Sequence, residues 1–163
     1  MIERHMDMVF HLCYRMMRDY DEANDCAQET FVKIYRSLDS FRMRSCFTTW
    51  IYRIAVNSCK NRIASAQYRA SRLSRSLDDG IHFHAGDERS NPETIFEKKE
   101  SATAVTEAVH ALPEDLRVLI ILRDFENRSY EEIAEICSLK IGTVKSKIAR
   151  ARQILRDALR GVL

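Results

Sequence analysis

Apolar side chains return along this chain every three or four residues, the spacing that lines one face of an α-helix. Val9, Leu12, Cys13 and Met16 make the first such stripe and predict a helix over 2–19. Asp19, Tyr20 and Asp21 interrupt it, and Asp21 is placed to cap the next helix. That helix, over 22–38, sets Ala23, Ala27, Thr30, Phe31, Ile34 and Leu38 on one side and Asp25, Gln28, Glu29, Val32 and Arg36 on the other. The outward set is polar apart from Val32 in its middle. An apolar residue there makes a partner-binding face a reading beside plain solvation, and the pattern alone leaves both open.

A third helix is predicted over 46–70, with Ser45 as its N-cap. Phe47, Ile51, Ile54, Ala55 and Ser58 cluster inward, whereas Thr49, Arg53, Val56, Asn57 and Lys60 cluster outward, with Tyr52 and Asn61 at the margins. Trp50 lies beside the inward side and reads as core. From 71 to 91 the helical period is lost in a stretch containing Asp78, Asp79, Gly80, Gly86 and Asp87, which reads as a flexible linker. Asn91 followed by Pro92 restarts a helix, since Pro suits the first helical position. Ile95, Lys99, Ala102, Val105, Val109 and Leu112 give that helix its stripe until Pro113 stops it.

The last third carries the sharpest local pattern. A short apolar helix over 114–123 is followed by Ser129, Tyr130, Glu131 and Glu132, a capping box that starts another. This one ends near Cys137. After a three-residue turn, Ser138 to Lys140, a long final helix begins at Ile141, which is helix-turn-helix spacing. Ile133, Ala134, Cys137, Leu139, Val144, Ile148 and Leu155 form its expected core. Thr143, Ser146, Arg150 and Gln153 project outward, flanked by Lys145 and Lys147. These positions near a helix N-terminus can reach phosphates and guanine edges in a major groove. The predicted fold is therefore all-α: an N-terminal helical bundle, 1–70, a linker, 71–91, and a C-terminal helix-turn-helix bundle, 92–163. Only four Gly and two Pro in 163 residues fit long helices better than sheets.

Charge sharpens this picture. The formal net charge is only +2, but residues 1–40 hold 5 basic and 8 acidic groups, 41–76 hold 8 and 0, 77–115 hold 3 and 10, and 116–163 hold 10 and 6. Two basic blocks separated by an acidic one suit two nucleic-acid-facing modules joined by a segment that phosphates repel. In the acid-free block, cations are interleaved with Phe41, Trp50, Tyr52, Asn57 and Asn61. Cations follow phosphates, rings stack on bases and amides bond base edges, a mixture suited to an unpaired strand. A solvated basic helix is the competing reading.

Other chemistries find little support. The five cysteines, Cys13, Cys26, Cys46, Cys59 and Cys137, are scattered singly with no C-x-x-C pair, which is neither a disulfide framework nor a zinc site. His82 and His84 near Asp87 read as a solvated loop rather than a metal site. No paired carboxylates, ligand cluster or nucleophile–base pair stands out, so no enzyme, cofactor or metal is expected. No apolar run approaches the roughly 20 residues of a membrane span, and no charged-then-apolar leader is present, which predicts a cytoplasmic protein.

Together these residues resemble a bacterial sigma factor of the extracytoplasmic-function group. The resemblance is carried by Asp25, Gln28, Glu29 and Phe31, by Ser40, Phe41 and Arg42 with Phe47, Trp50, Tyr52, Arg53 and Asn57, by Leu112, Pro113 and Leu116, and by Ser129 to Ala134 with Gly142 to Arg152. It implies that the first unit is sigma region 2 and the second is sigma region 4. Asp25, Gln28 and Glu29 would then face core RNA polymerase. Phe41, Tyr52, Arg53, Asn57, Lys60 and Asn61 would capture the single-stranded −10 element, and Thr143, Lys145, Ser146, Lys147 and Arg150 would read the duplex −35 element. It also implies a monomer controlled by an anti-sigma factor. The alternative from another class is a helix-turn-helix repressor or activator that binds intact duplex as a dimer.

Overall fold

The computed structural model describes residues 3–42, 45–73 and 92–160, and those residues are helical with no strand among them. Three helices make the N-terminal unit: α1 (Glu3–Met17), α2 (Tyr20–Ser37) and α3 (Phe47–Leu73). A single turn of tighter helix, Leu38–Ser40, extends α2. The C-terminal unit holds α4 (Pro92–Ala111), α5 (Glu114–Ile120), α6 (Tyr130–Cys137) and α7 (Ile141–Ala158). α5 continues into a wider π-type turn, Ile121–Phe125. α3 runs through 71–73, into the start of the expected linker. The rest of that linker, with His82, His84 and Asn91, lies outside the described residues.

The break between α1 and α2 is sharp because Arg18 takes a left-handed backbone conformation at φ 59°. Asp19 then caps α2, its Oδ1 accepting from the Glu22 amide at 2.8 Å. This corrects the expected cap, Asp21, which sits in the first turn instead. An acid there is stabilising because it faces the positive end of the helix dipole. Beyond the linker the capping box is complete: Ser129 Oγ accepts from the Glu132 amide at 3.1 Å and Glu132 Oε2 accepts from the Ser129 amide at 2.7 Å. Ser138, at φ 55° and ψ 46°, ends α6 in a left-handed turn, and the Leu139 amide bonds back to the Ala134 carbonyl at 2.9 Å.

Val9, Leu12 and Met16 from α1 bury against Ala23, Ala27 and Ile34 of α2 and Ile51 and Ala55 of α3. Each of the larger side chains among these (Val, Leu, Ile, Met) contributes about 1.5–3 kcal/mol when removed from water. Thr49 and Val56, expected to face outward, are buried, and so is Tyr52, expected at the margin. α3 is flanked by α1, α2 and also α6, so its buried arc is wider than a single stripe. Leu38, expected inward, is 40% exposed because the chain has already left the α2 helix there. In the second unit Leu116, Leu119 and Ile120 meet Ile133, Ile136, Val144, Ile148 and Ala151. The buried residues of both units form one contiguous cluster.

Candidate nucleic-acid interface

Along α3, Arg53, Asn57, Lys60 and Asn61 fall on neighbouring turns of one side, with Asn57 and Asn61 exposed. At the start of the helix Phe41, Phe47 and Trp50 form an aromatic cluster, with ring centroids 5.1 Å apart for Phe41–Trp50, 5.3 Å for Phe41–Phe47 and 5.7 Å for Phe47–Trp50. Phe41 and Trp50 are each only partly buried, so the cluster keeps ring surface open to solvent next to the polar side of α3. Open rings beside amides and cations are the parts that bind unstacked bases.

Tyr52 and Arg53 have other partners in this arrangement. The Tyr52 hydroxyl donates to Glu126 Oε2 at 2.8 Å, and the Arg128 guanidinium lies over the Tyr52 ring at 5.4 Å. Burial, reinforced by the Glu126 carboxylate, pushes the Tyr52 phenol well above its usual value, so it remains a donor. Arg53 pairs with Glu135 of α6 at 3.0 Å. Glu126 also accepts from Arg15 of α1 at 2.7 Å, and the Arg15 guanidinium sits over Phe125 at 5.0 Å. Arg117 of α5 donates to the Met16 carbonyl at 2.9 Å. The helix-turn-helix unit thus closes on the N-terminal bundle along α1 and α3. Glu126 and Arg128, which the sequence reading missed, are the hub of that closure. The sequence shows Glu126 only as one acid among several before a capping box.

On α2, Asp25, Gln28 and Glu29 are exposed as predicted, with Val32 at 49% exposure beside them. Arg62 of α3 crosses to this acidic side and bonds Glu22 at 2.6 Å, Glu29 at 2.8 Å and Asp25 at 3.4 Å. The Glu22 carboxylate, followed by that of Glu29, holds the Arg62 guanidinium above its usual value. The sequence does carry a signal for Arg62, because Glu22, Asp25 and Glu29 at i, i+3 and i+7 form an acidic stripe that a facing cation stabilises. A second tie runs from Lys33 Nζ to the buried Ser58 Oγ at 3.0 Å.

α7 presents Lys145, Ser146 and Arg150 to solvent, with Thr143 and Lys147 half-buried. Ser146 Oγ donates to the Thr143 carbonyl at 3.0 Å, and Lys147 is ion-paired with Asp115 of α5. That pairing holds the Asp115 carboxyl below its usual range. Lys145 Nζ lies 5.8 Å from the Tyr130 ring centroid. Val144, Ile148 and Ala151 on the opposite side are buried, and this fixes which way the polar side points.

Residues 1–69 match the family description "Sigma-70 region 2", and residues 102–155 match "Sigma-70, region 4". The RNA polymerase sigma-H factor of Pseudomonas aeruginosa is 37% identical over 166 residues, covering 100% of this chain and 86% of that protein. The chain belongs to the extracytoplasmic-function sigma factors of the sigma-70 family. The ECF RNA polymerase sigma-E factor of Escherichia coli K12 is 41% identical over 142 residues, which are 85% of this chain and 74% of that one. Among solved structures, the sigma factor RpoE in complex with the anti-sigma factor NepR from Bartonella quintana matches with a TM-score of 0.77 at 25% identity, over 96% of this chain and 92% of that one. CnrH, solved in complex with the cytosolic domain of CnrY, shares the fold at a TM-score of 0.68, over 98% and 84%. As a sigma factor the chain directs transcription and is not an enzyme. This displaces the dimeric repressor reading. Among the described residues no helix is long and apolar enough to cross a membrane.

Proposed function

We propose that this sigma factor holds core RNA polymerase through the exposed α2 face (Asp25, Gln28, Glu29), with Val32 as its apolar centre. The −10 non-template strand would lie along Phe41, Tyr52, Arg53, Asn57, Lys60 and Asn61, and the −35 duplex along Thr143, Lys145, Ser146, Lys147 and Arg150. What carries this reading is the opposite facing of the two α3-based surfaces: an acidic side shared with α2 through Arg62, and a polar side with open rings next to it. Opening the −10 duplex costs a few kcal/mol per extruded base, supplied by these contacts and by polymerase rather than by covalent chemistry.

In the closed arrangement Tyr52 is 2% exposed and cannot reach a strand until the C-terminal unit leaves α3, and Arg53 is engaged by Glu135. Promoter binding by this monomer therefore requires the two units to separate. An anti-sigma factor that holds them together would silence it, in line with the anti-sigma complex of the Bartonella quintana relative. Run-off transcription with purified core enzyme is the test. Specific transcripts should appear only when the chain is added, and Asn57→Ala should impair capture of a single-stranded −10 oligonucleotide more than binding to −35 duplex. Transcription that is indifferent to the chain sinks the proposal.

A further inference from the structure

Three cysteines that lie far apart in sequence meet in the core of the N-terminal bundle. Cys13 of α1, Cys26 of α2 and Cys59 of α3 are each fully buried. Their sulfurs stand 3.6 Å apart for Cys13–Cys59 and 4.0 Å for Cys26–Cys59, and all three lie within 4.8 Å of one another. A buried cysteine alone behaves as a small hydrophobe. Three whose sulfurs converge on one point, one from each helix, have the geometry of a ligand set.

We propose that Cys13, Cys26 and Cys59 form a three-sulfur site for a soft d10 cation, with Cu(I) as the ion that fits best. Thiolates select soft ions such as Cu(I). With metal–sulfur bonds of about 2.3 Å, three sulfurs in a plane around one ion stand about 4.0 Å apart, so the observed spacings need little adjustment. Structural zinc takes a fourth ligand. Among the described residues no other His, Cys, Asp or Glu joins the cluster, and full burial of all three thiols leaves little room for water. Arg62 stands one helical turn beyond Cys59 and acts on Cys26, while Glu22, Asp25 and Glu29 share its charge. On uptake the metal–sulfur bonds replace S–H bonds, and the released protons go to solvent.

A cleft of about 270 Å³ is lined by Met16, Glu22, Arg62 and Ile63, among others. Met16 lies three residues after Cys13, Glu22 four before Cys26 and Ile63 four after Cys59, so the cleft opens one turn away from each thiol. Met16, which lines the cleft and is itself buried, is a further soft donor nearby. A bound ion would staple α1, α2 and α3 at one point and raise the stability of the bundle that carries both proposed binding faces.

The test uses the full chain, reduced and anaerobic, refolded with and without Cu(I) and titrated against a chromophoric Cu(I) chelator. The Cys46→Ser/Cys137→Ser variant leaves only the buried trio. It and the unaltered chain should each take up one equivalent and melt at a higher temperature with copper. Cys26→Ala and Cys59→Ala should each lose more affinity than the roughly 10–100-fold that removing an outer-shell support costs. Should those variants fail to fold, the melting temperature of the Cys46→Ser/Cys137→Ser chain decides, because only an ion that prefers the folded state raises it. An unchanged or lowered melting temperature, or uptake that survives Cys26→Ala, overturns the site. Zinc bound as tightly as Cu(I) overturns its three-coordinate character.

Discussion

His110 shows what one side chain contributes. Burial, with the Arg117 and Arg18 guanidiniums nearby, pulls its imidazole below the usual value. Above the roughly 6.5 of an unfolded histidine both states are neutral. As pH falls from there through the lower folded value, the unfolded chain takes up the proton first and stability is lost. His110→Gln should therefore flatten the melting temperature between about pH 7 and pH 5, where the unaltered chain declines; equal slopes for the two would count against it. Arg150, exposed on α7, belongs to the same scale. Replacing it with Ala should cost about 1–3 kcal/mol of −35 duplex recognition, read as a fall in affinity for specific over scrambled DNA.

At the scale of elements, the helix-turn-helix depends on how α6 begins and ends. The Ser129–Glu132 capping box fixes its start, and the left-handed Ser138 turns the chain into α7. Ser129→Ala should destabilise the C-terminal unit by about 0.5–2 kcal/mol, measured by thermal melting, with little direct effect on α7 contacts to DNA. The α2 face offers a separate test. Replacing Gln28 and Glu29 together with Ala should weaken binding to core polymerase while leaving −35 duplex binding intact. Arg62 will then keep only Glu22 and Asp25, and exposed pairs of this kind are worth about 0.2–1 kcal/mol each, so the bundle should stay folded.

At the scale of the molecule, the closure of α6 on α3 is the feature with the widest consequence. Glu126 joins Tyr52 and Arg15 there, and its side chain is only 11% exposed. Hydrogen bonds to a charged group contribute about 1.5–3 kcal/mol. Glu126→Gln should therefore shift the balance toward the open arrangement by roughly tenfold or more. A larger radius in solution scattering and tighter binding of a −10 oligonucleotide should appear together. An unchanged radius would mean that other contacts, such as Arg53–Glu135 and Arg117 on the Met16 carbonyl, suffice to hold the closure.

Helix positions, the capping box, the turn at Ser138 and the outward faces of α2 and α7 were legible in the sequence, because each depends on residues within a few turns of one another. Local spacing cannot see what a helix meets on its far side. It therefore misplaced Thr49, Val56 and Tyr52, whose burial depends on a third neighbour reaching α3. Likewise it read five single cysteines as scattered, although three helices bring three of their sulfurs together. The chain's own pattern determined a two-unit helical protein with two polar faces. Only the packing of helices distant in sequence decided which of those polar residues stand open, which are held by Glu126, Glu135 and Arg62, and where the thiols converge.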